Sequence, residues 1–252
     1  MTKEDSALIR GLEGVVAAET RLCDLDGKNG RLAYVGYDID ELARKATFEE
    51  VTYLLLYGEL PKAAQLDGLT VALTAAREIP RELVQAFRLM PKQTDPMRVL
   101  QAAVAMLGMS DPDATDNSHA ANVRKAIRLT SQIATAICAH HRVRSGQEPV
   151  APAAGLGHAA NFLYMLTGQR PGAAAVKAFD ASLTLYAEHE LNASTFATSP
   201  ISISVRITAS PAPPWSGPLS APTPPATAEC MSDCVETIVR VVKVDALSSC
   251  SA

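Results

Sequence analysis

The sequence predicts an all-α, multi-helix body preceded by one short β-hairpin. Three observations lead there. Apolar residues recur at three- and four-residue spacing in segment after segment from Thr47 to Glu190. Those segments are bounded by capping residues, glycines and prolines. Two short apolar runs near the start flank Asp26-Gly-Lys-Asn-Gly30, a strong turn signal.

The elements follow in order. Thr20–Leu25 and Arg31–Val35 flank the turn and read as the hairpin. Thr47-Phe-Glu-Glu50 is a capping box, in which the Thr hydroxyl accepts from the Glu50 amide and the Glu side chain reaches back. Phe48, Val51, Leu54 and Leu55 form one apolar face, and Gly58 ends that helix. Pro61 suits the first turn of the next helix, which carries Leu66, Leu69 and Leu73. Pro80 opens another, with Leu83, Val84 and Phe87. Asp95-Pro96 starts a further one, with Met97, Leu100, Val104 and Leu107 inward. Asn117–Arg144 is the longest candidate, marked by Val123, Ile127, Thr130, Ile133 and Ile137. Gly146–Gly157 is a loop, and His158–Leu166 a short helix closed by Gly168. Ala173–Glu190 is the last helix, with Val176, Phe179, Leu183 and Tyr186 on one face. Several of these helices are apolar on more than one side and rich in Ala, which favours close, multi-layer packing.

Residues 198–227 break the pattern. They hold 8 of the chain's 16 Pro and 10 Ser or Thr, without periodicity. The expected organisation is a helical body over residues 1–197 and an aberrant Pro/Ser/Thr-rich tail over 198–252, lacking regular structure. Val235–Val244 in that tail is β-branched and could form a strand.

Composition narrows the function classes. Of 252 residues, 48% are apolar and 20% charged, as in a soluble globular protein. A net charge of −4 argues against a nucleic-acid surface. No apolar run approaches the ~20 residues a membrane helix needs, and the polar start MTKEDSALIRGLEG lacks a signal peptide's apolar stretch. The expected location is the cytoplasm, with the five Cys reduced. Cys230 and Cys234 have a spacing a metal could use, but no second ligand pair accompanies them, so no metal is expected.

Five His are the remaining candidates for chemistry. His119 and His158 fall near helix starts, and His140 and His141 near a helix end; all four read as surface or capping residues. His189 differs. It stands between Glu188 and Glu190, and Asn192, Ser194 and Thr195 follow. Neighbouring carboxylates favour a protonated imidazole, which donates from both nitrogens and suits a small dicarboxylate. The alternative is a helix C-terminal His that complements the dipole.

GLEGVVAAET, GRLAYVGYDIDELA, TFEEVTYLLLYGELP, HRVRSGQEPVAP, HAANFLYMLTGQRP and AEHELNASTF together resemble, in order and spacing, the citrate synthase family in its bacterial and archaeal form. The resemblance covers residues 11–197. It implies a citrate-synthase-like large domain, a homodimer, and an enzyme that condenses acetyl-CoA with oxaloacetate to citrate and CoA. It implies no metal or redox cofactor. The family's substrate-binding His maps onto His189, with Asn192 beside it. Glu188 stands for the family's usual Asp, Tyr186 where His is common, and Val35 for a frequent Arg.

The same resemblance implies chemistry further along that this chain does not show. A His that stabilises the enol of acetyl-CoA is due near position 224, where the row reads Ser-Ala-Pro-Thr-Pro-Pro-Ala-Thr, and no His follows His189. The family's catalytic Asp cannot be assigned to Asp233 or Asp245, and the small domain is absent. The catalytic residues are therefore unknown, and the chain is expected to be truncated and inactive. A reading-frame change near Ala197 would explain this. Ser199–Ile203 and Ala226–Glu229 can be encoded so that a shifted frame reads Ala-Asp-Leu-Tyr and His-Gly-Gly. Two other readings stand beside the first: a 2-methylcitrate synthase using propionyl-CoA, and a non-catalytic helical fragment serving as an interaction module.

Overall fold

The computed structural model describes residues 20–188. The chain opens with three antiparallel strands in the order β1-β2-β3: β1 (Cys23–Asp26), β2 (Arg31–Tyr34) and β3 (Tyr37–Asp38). The expected hairpin is present, and a third strand extends it. Asp26 makes the first turn, its Oδ1 accepting from the Lys28 and Asn29 amides, both at 3.1 Å. The second turn is Val35-Gly36, both at positive φ (51° and 83°). A β-branched residue is strained in the left-handed region, which is why the sequence gives no warning of a turn there.

Eight helices follow among the described residues. The seven-residue α1 (Ile39–Lys45) is capped by Asp38, whose carboxylate accepts from the Asp40 amide, and is too short to carry a periodic signal. Then come α2 (Phe48–Tyr57), α3 (Ala63–Ala75), α4 (Arg81–Leu89), α5 (Pro96–Met109), α6 (His119–Arg144), α7 (His158–Thr167) and α8 (Ala173–Leu185). The Thr47–Glu50 capping box forms in both directions. Gly58 and Gly168 close α2 and α7 in the left-handed conformation.

Four boundaries or faces differ from expectation. Pro61 lies before α3, which Lys62 caps. The long helix begins at His119, because the Ser118 hydroxyl accepts from the Ala121 amide. On α5, Val99 and Ala103 are buried while Met97 and Val104 are only partly so. The last helix ends at Leu185 rather than Glu190, and Tyr186, expected inward, is 52% exposed.

The 26-residue α6 is the axis of the body, with α3, α4, α5 and α7 packed along it. Between Thr130 and Ala139 it is buried nearly all round. Small side chains permit this, and most of their polar groups are spent internally, the buried Thr130 hydroxyl being without a hydrogen-bond partner among the described residues. The Ser131 hydroxyl donates to the Leu73 carbonyl at 2.8 Å, and the Cys138 thiol faces the Phe162 carbonyl at 3.4 Å. The main core runs from Tyr34 through Leu54 and Ile133 to Phe162 and Leu183. Tyr53, Leu69 and Leu73 form a separate small cluster between α2 and α3. Beyond α5, the Arg128 guanidinium bridges Asp111 and Asp113 at 2.7 Å each, and Arg124 also grips Asp113. This pins the connection to α6 and holds the Asp113 carboxyl well below the usual carboxylate range.

Candidate active site

The chain stretch that carries the main site prediction leaves the body at the end of α8. There the last helical amides are used locally: Tyr186 donates to the Ser182 carbonyl and Ala187 to the Thr184 carbonyl. Ala187 and Glu188 are then buried although they lie outside the helix. A buried backbone without a ladder needs other partners, and Tyr34 supplies them from 154 residues away. Its hydroxyl accepts from the Glu188 amide at 3.1 Å. Its proton reaches the Glu188 carbonyl at 2.9 Å or the Leu185 carbonyl at 3.0 Å. Tyr34 is 0% exposed, and burial pushes its phenol above the ordinary range, so it remains a donor. The next residues, His189 and Asn192, lie outside the described residues, as does the tail from 198 onward.

A second polar group lies at the starts of α2 and α7. The His158 amide donates to Glu49 Oε1 at 2.7 Å, and the Phe48 amide donates to both oxygens of Asp180, at 3.2 and 3.3 Å. Each helix therefore has a carboxylate from another element at its positive end. His158 overturns its surface reading. It is 3% exposed, with its ring 5.0 Å from that of Phe48. Burial drives its pKa down from 6.5 to about 4, with Glu49 opposing and Arg77 assisting, so the imidazole is neutral. Arg77, also 3% exposed, donates to the Ala153 carbonyl at 2.8 Å. Among the described residues neither His158 Nε2 nor Arg77 Nε has a hydrogen-bond partner. Burial raises Asp180 to about 6; the Phe48 amide opposes this, and Glu49 and Glu50 add to it.

The other histidines divide. His119 is exposed as expected, and His140 sets its ring edge-on against Phe87 at 5.5 Å. Among the described residues no group of three His, Cys, Asp or Glu could hold a metal ion. Cys23 and Cys138 are buried thiols. Sequence reasoning missed Tyr34, His158, Arg77 and Asp180. The signal for Tyr34 was slight: a tyrosine at the inward end of a strand must find a partner for its hydroxyl. For His158 and Asp180 the partners are far apart in the chain, and no local spacing announces them.

A mainly helical body built on a long buried helix, opened by a three-stranded meander, defines the class: an all-α domain. Residues 11–204 match the family profile described as "Citrate synthase, C-terminal domain". The citrate synthase of Deinococcus radiodurans is 44% identical over 191 residues, covering 76% of this chain and 51% of that protein. The crystal structure of citrate synthase from Pyrobaculum aerophilum is similar at a TM-score of 0.69 and 39% identity, covering 74% of this chain and 48% of that one. Citrate synthase from the thermophilic archaeon Thermoplasma acidophilum, solved as a ternary complex with carboxymethyl coenzyme A and oxaloacetate, is similar at 0.69 and 28% identity, covering 73% and 48%. The chain belongs to the citrate synthase family. It spans about half the length of the curated relatives it matches.

Proposed function

We propose that this chain carries the oxaloacetate-binding helical part of an enzyme that joins acetyl-CoA to oxaloacetate, giving citrate and CoA. The observation that carries this reading is the family match over residues 11–204, which runs through both His189 and Asn192. In this reading the imidazolium of His189, favoured by Glu188 and Glu190, donates to the ketoacid and polarises its carbonyl. The Asn192 amide adds a neutral contact. The enol of acetyl-CoA then attacks the keto carbon, and hydrolysis of the thioester releases CoA. The condensation calls for no metal or redox cofactor. The soluble, cytoplasmic homodimer implied by the family completes the proposal. No described helix is long and apolar enough to cross a membrane.

Calorimetric titration of chain 1–252 with oxaloacetate tests the binding step. Replacing His189 by Ala removes a charge-assisted hydrogen bond, expected to cost about 1.5–3 kcal/mol. Equal affinities for wild type and His189→Ala would remove His189 from the site. Turnover has its own test, thiol release from acetyl-CoA in the presence of oxaloacetate. Enolisation needs a positioned base and a donor to the enolate oxygen. No His follows His189 in this sequence, so release is expected at background. A rate of about one per second would show that residues 198–252 supply both groups.

A further inference from the structure

We propose that Tyr34 is a positioning residue for the ketoacid-binding histidine: its phenol hydroxyl fixes the backbone at Glu188, the residue that precedes His189 in the chain. This rests on the reading that His189 binds oxaloacetate.

Three observations converge on the clamp. The Tyr34 hydroxyl has three backbone groups of one short segment within reach: the Leu185 carbonyl, the Glu188 carbonyl and the Glu188 amide. It can accept from the amide and donate to a carbonyl at the same time, which constrains the peptide in direction as well as distance. Within that segment Ala187 and Glu188 are buried yet lie beyond Leu185, the last residue of α8, so the helical ladder does not fix Glu188. Finally, the turn that follows Tyr34 is strained, with non-glycine Val35 at φ 51°. Strain of this kind persists only where the surrounding structure over-determines the backbone. Here β1 and β3 flank the residue: Tyr34 pairs with both Cys23 and Tyr37, and the Val35 amide donates to the Leu22 carbonyl at 3.0 Å. A tyrosine needed only to fill the core would not require its oxygen against this one segment.

Tyr34→Phe keeps the ring and removes the oxygen. The test uses full-length chain 1–252 with histidine ring carbons labelled, the His189 signal being assigned by its disappearance in His189→Ala. Leu73→Ala, in the separate small cluster, serves as a control for lost stability alone. The expected result is that Tyr34→Phe shifts the His189 signal and its titration midpoint and weakens oxaloacetate binding about three- to tenfold. Leu73→Ala should lower Tm while leaving both unchanged. The proposal is overturned if Tyr34→Phe lowers Tm but leaves the His189 signal and oxaloacetate affinity at wild-type values. If the signal moves and no form of the protein binds oxaloacetate, the clamp stands and the ligand assignment falls.

Discussion

The helix pairs α2–α3 and α7–α8 are built alike. Each begins with a ten-residue helix, α2 or α7, and ends with a thirteen-residue helix, α3 or α8. Each short helix closes on a left-handed glycine, Gly58 or Gly168, and each connection holds a proline three residues later, Pro61 or Pro171. Their surroundings differ. The contact side of α2–α3 is a small cluster of Tyr53, Leu69 and Leu73. The contact side of α7–α8 lies inside the main core, where Phe162 stacks on Phe179 at 4.8 Å. Similar local chemistry thus puts the seam between the paired helices in a small side cluster in one place and inside the main core in the other, although α2 also gives Phe48, Val51, Leu54 and Leu55 to that core. Neighbours set that difference, because the local signals are shared.

The largest expected effect separates the two cores. Phe162→Ala should cost about 3–5 kcal/mol, since Phe162 is fully buried against a second ring, whereas Leu69→Ala should fall near 2 kcal/mol, at the low end for such truncations. Denaturant midpoints at unchanged m-value provide the comparison, and equal losses would mean that the two units are equally embedded.

Next comes the pair of closing glycines. Both need positive φ, so Gly58→Ala and Gly168→Ala should each cost about 1–2 kcal/mol. The second should cost more. A Cβ at Gly168 would meet Arg142 Nη1 at 3.3 Å, and that guanidinium also donates to the Glu148 and Leu166 carbonyls, whereas Gly58 faces open space. Thermal unfolding of the two variants checks the ranking.

A third effect is a slope with pH. His158 titrates near 4 when folded and near 6.5 when unfolded, so the unfolded chain takes up its proton first. Its contribution is fully present above pH 6.5 and is lost as pH falls toward 4. Asp180 runs the other way: raised from 3.8 to about 6, its contribution is fully present below 3.8 and is lost as pH rises through 6. In His158→Gln the first slope disappears and the second remains. Relative to wild type, the variant's Tm should therefore improve steadily between pH 6.5 and 4.5. A constant difference across that range would mean that His158 takes up its proton at the same pH in the folded and unfolded protein.

The same comparison explains what was legible in the sequence. The start and stop of α2 could be read because Thr47, Glu50 and Gly58 act within one turn of the residues they cap. The end of α8 could not. Leu183, Tyr186 and Glu190 continue the helical spacing past the true end, and the helix stops where Tyr34 takes over the backbone. His158 occupies the first position of α7, which in isolation reads as solvent-facing; the ring of Phe48 and the carboxylate of Glu49 that pack against it come from α2. His189 stood out by its polar neighbours, but its proposed role came from the family resemblance. Local chemistry writes caps and turns into the sequence, while burial and helix ends made by distant partners are written only in the fold.

The Tyr34 clamp also bears on the order in which the chain assembles. During synthesis the strands and α1 through α7 emerge well before Glu188, so the groups that Tyr34 bonds are the last of the described residues to appear. Until then the phenol must stay hydrated, because burying it without a partner would cost the full desolvation of a hydroxyl. The N-terminal meander therefore cannot settle into its final position ahead of the rest, and a contact of such long sequence separation forms late. Any nascent chain stalled before residue 188 would expose the Tyr34 end of the core, a surface suited to capture by chaperones.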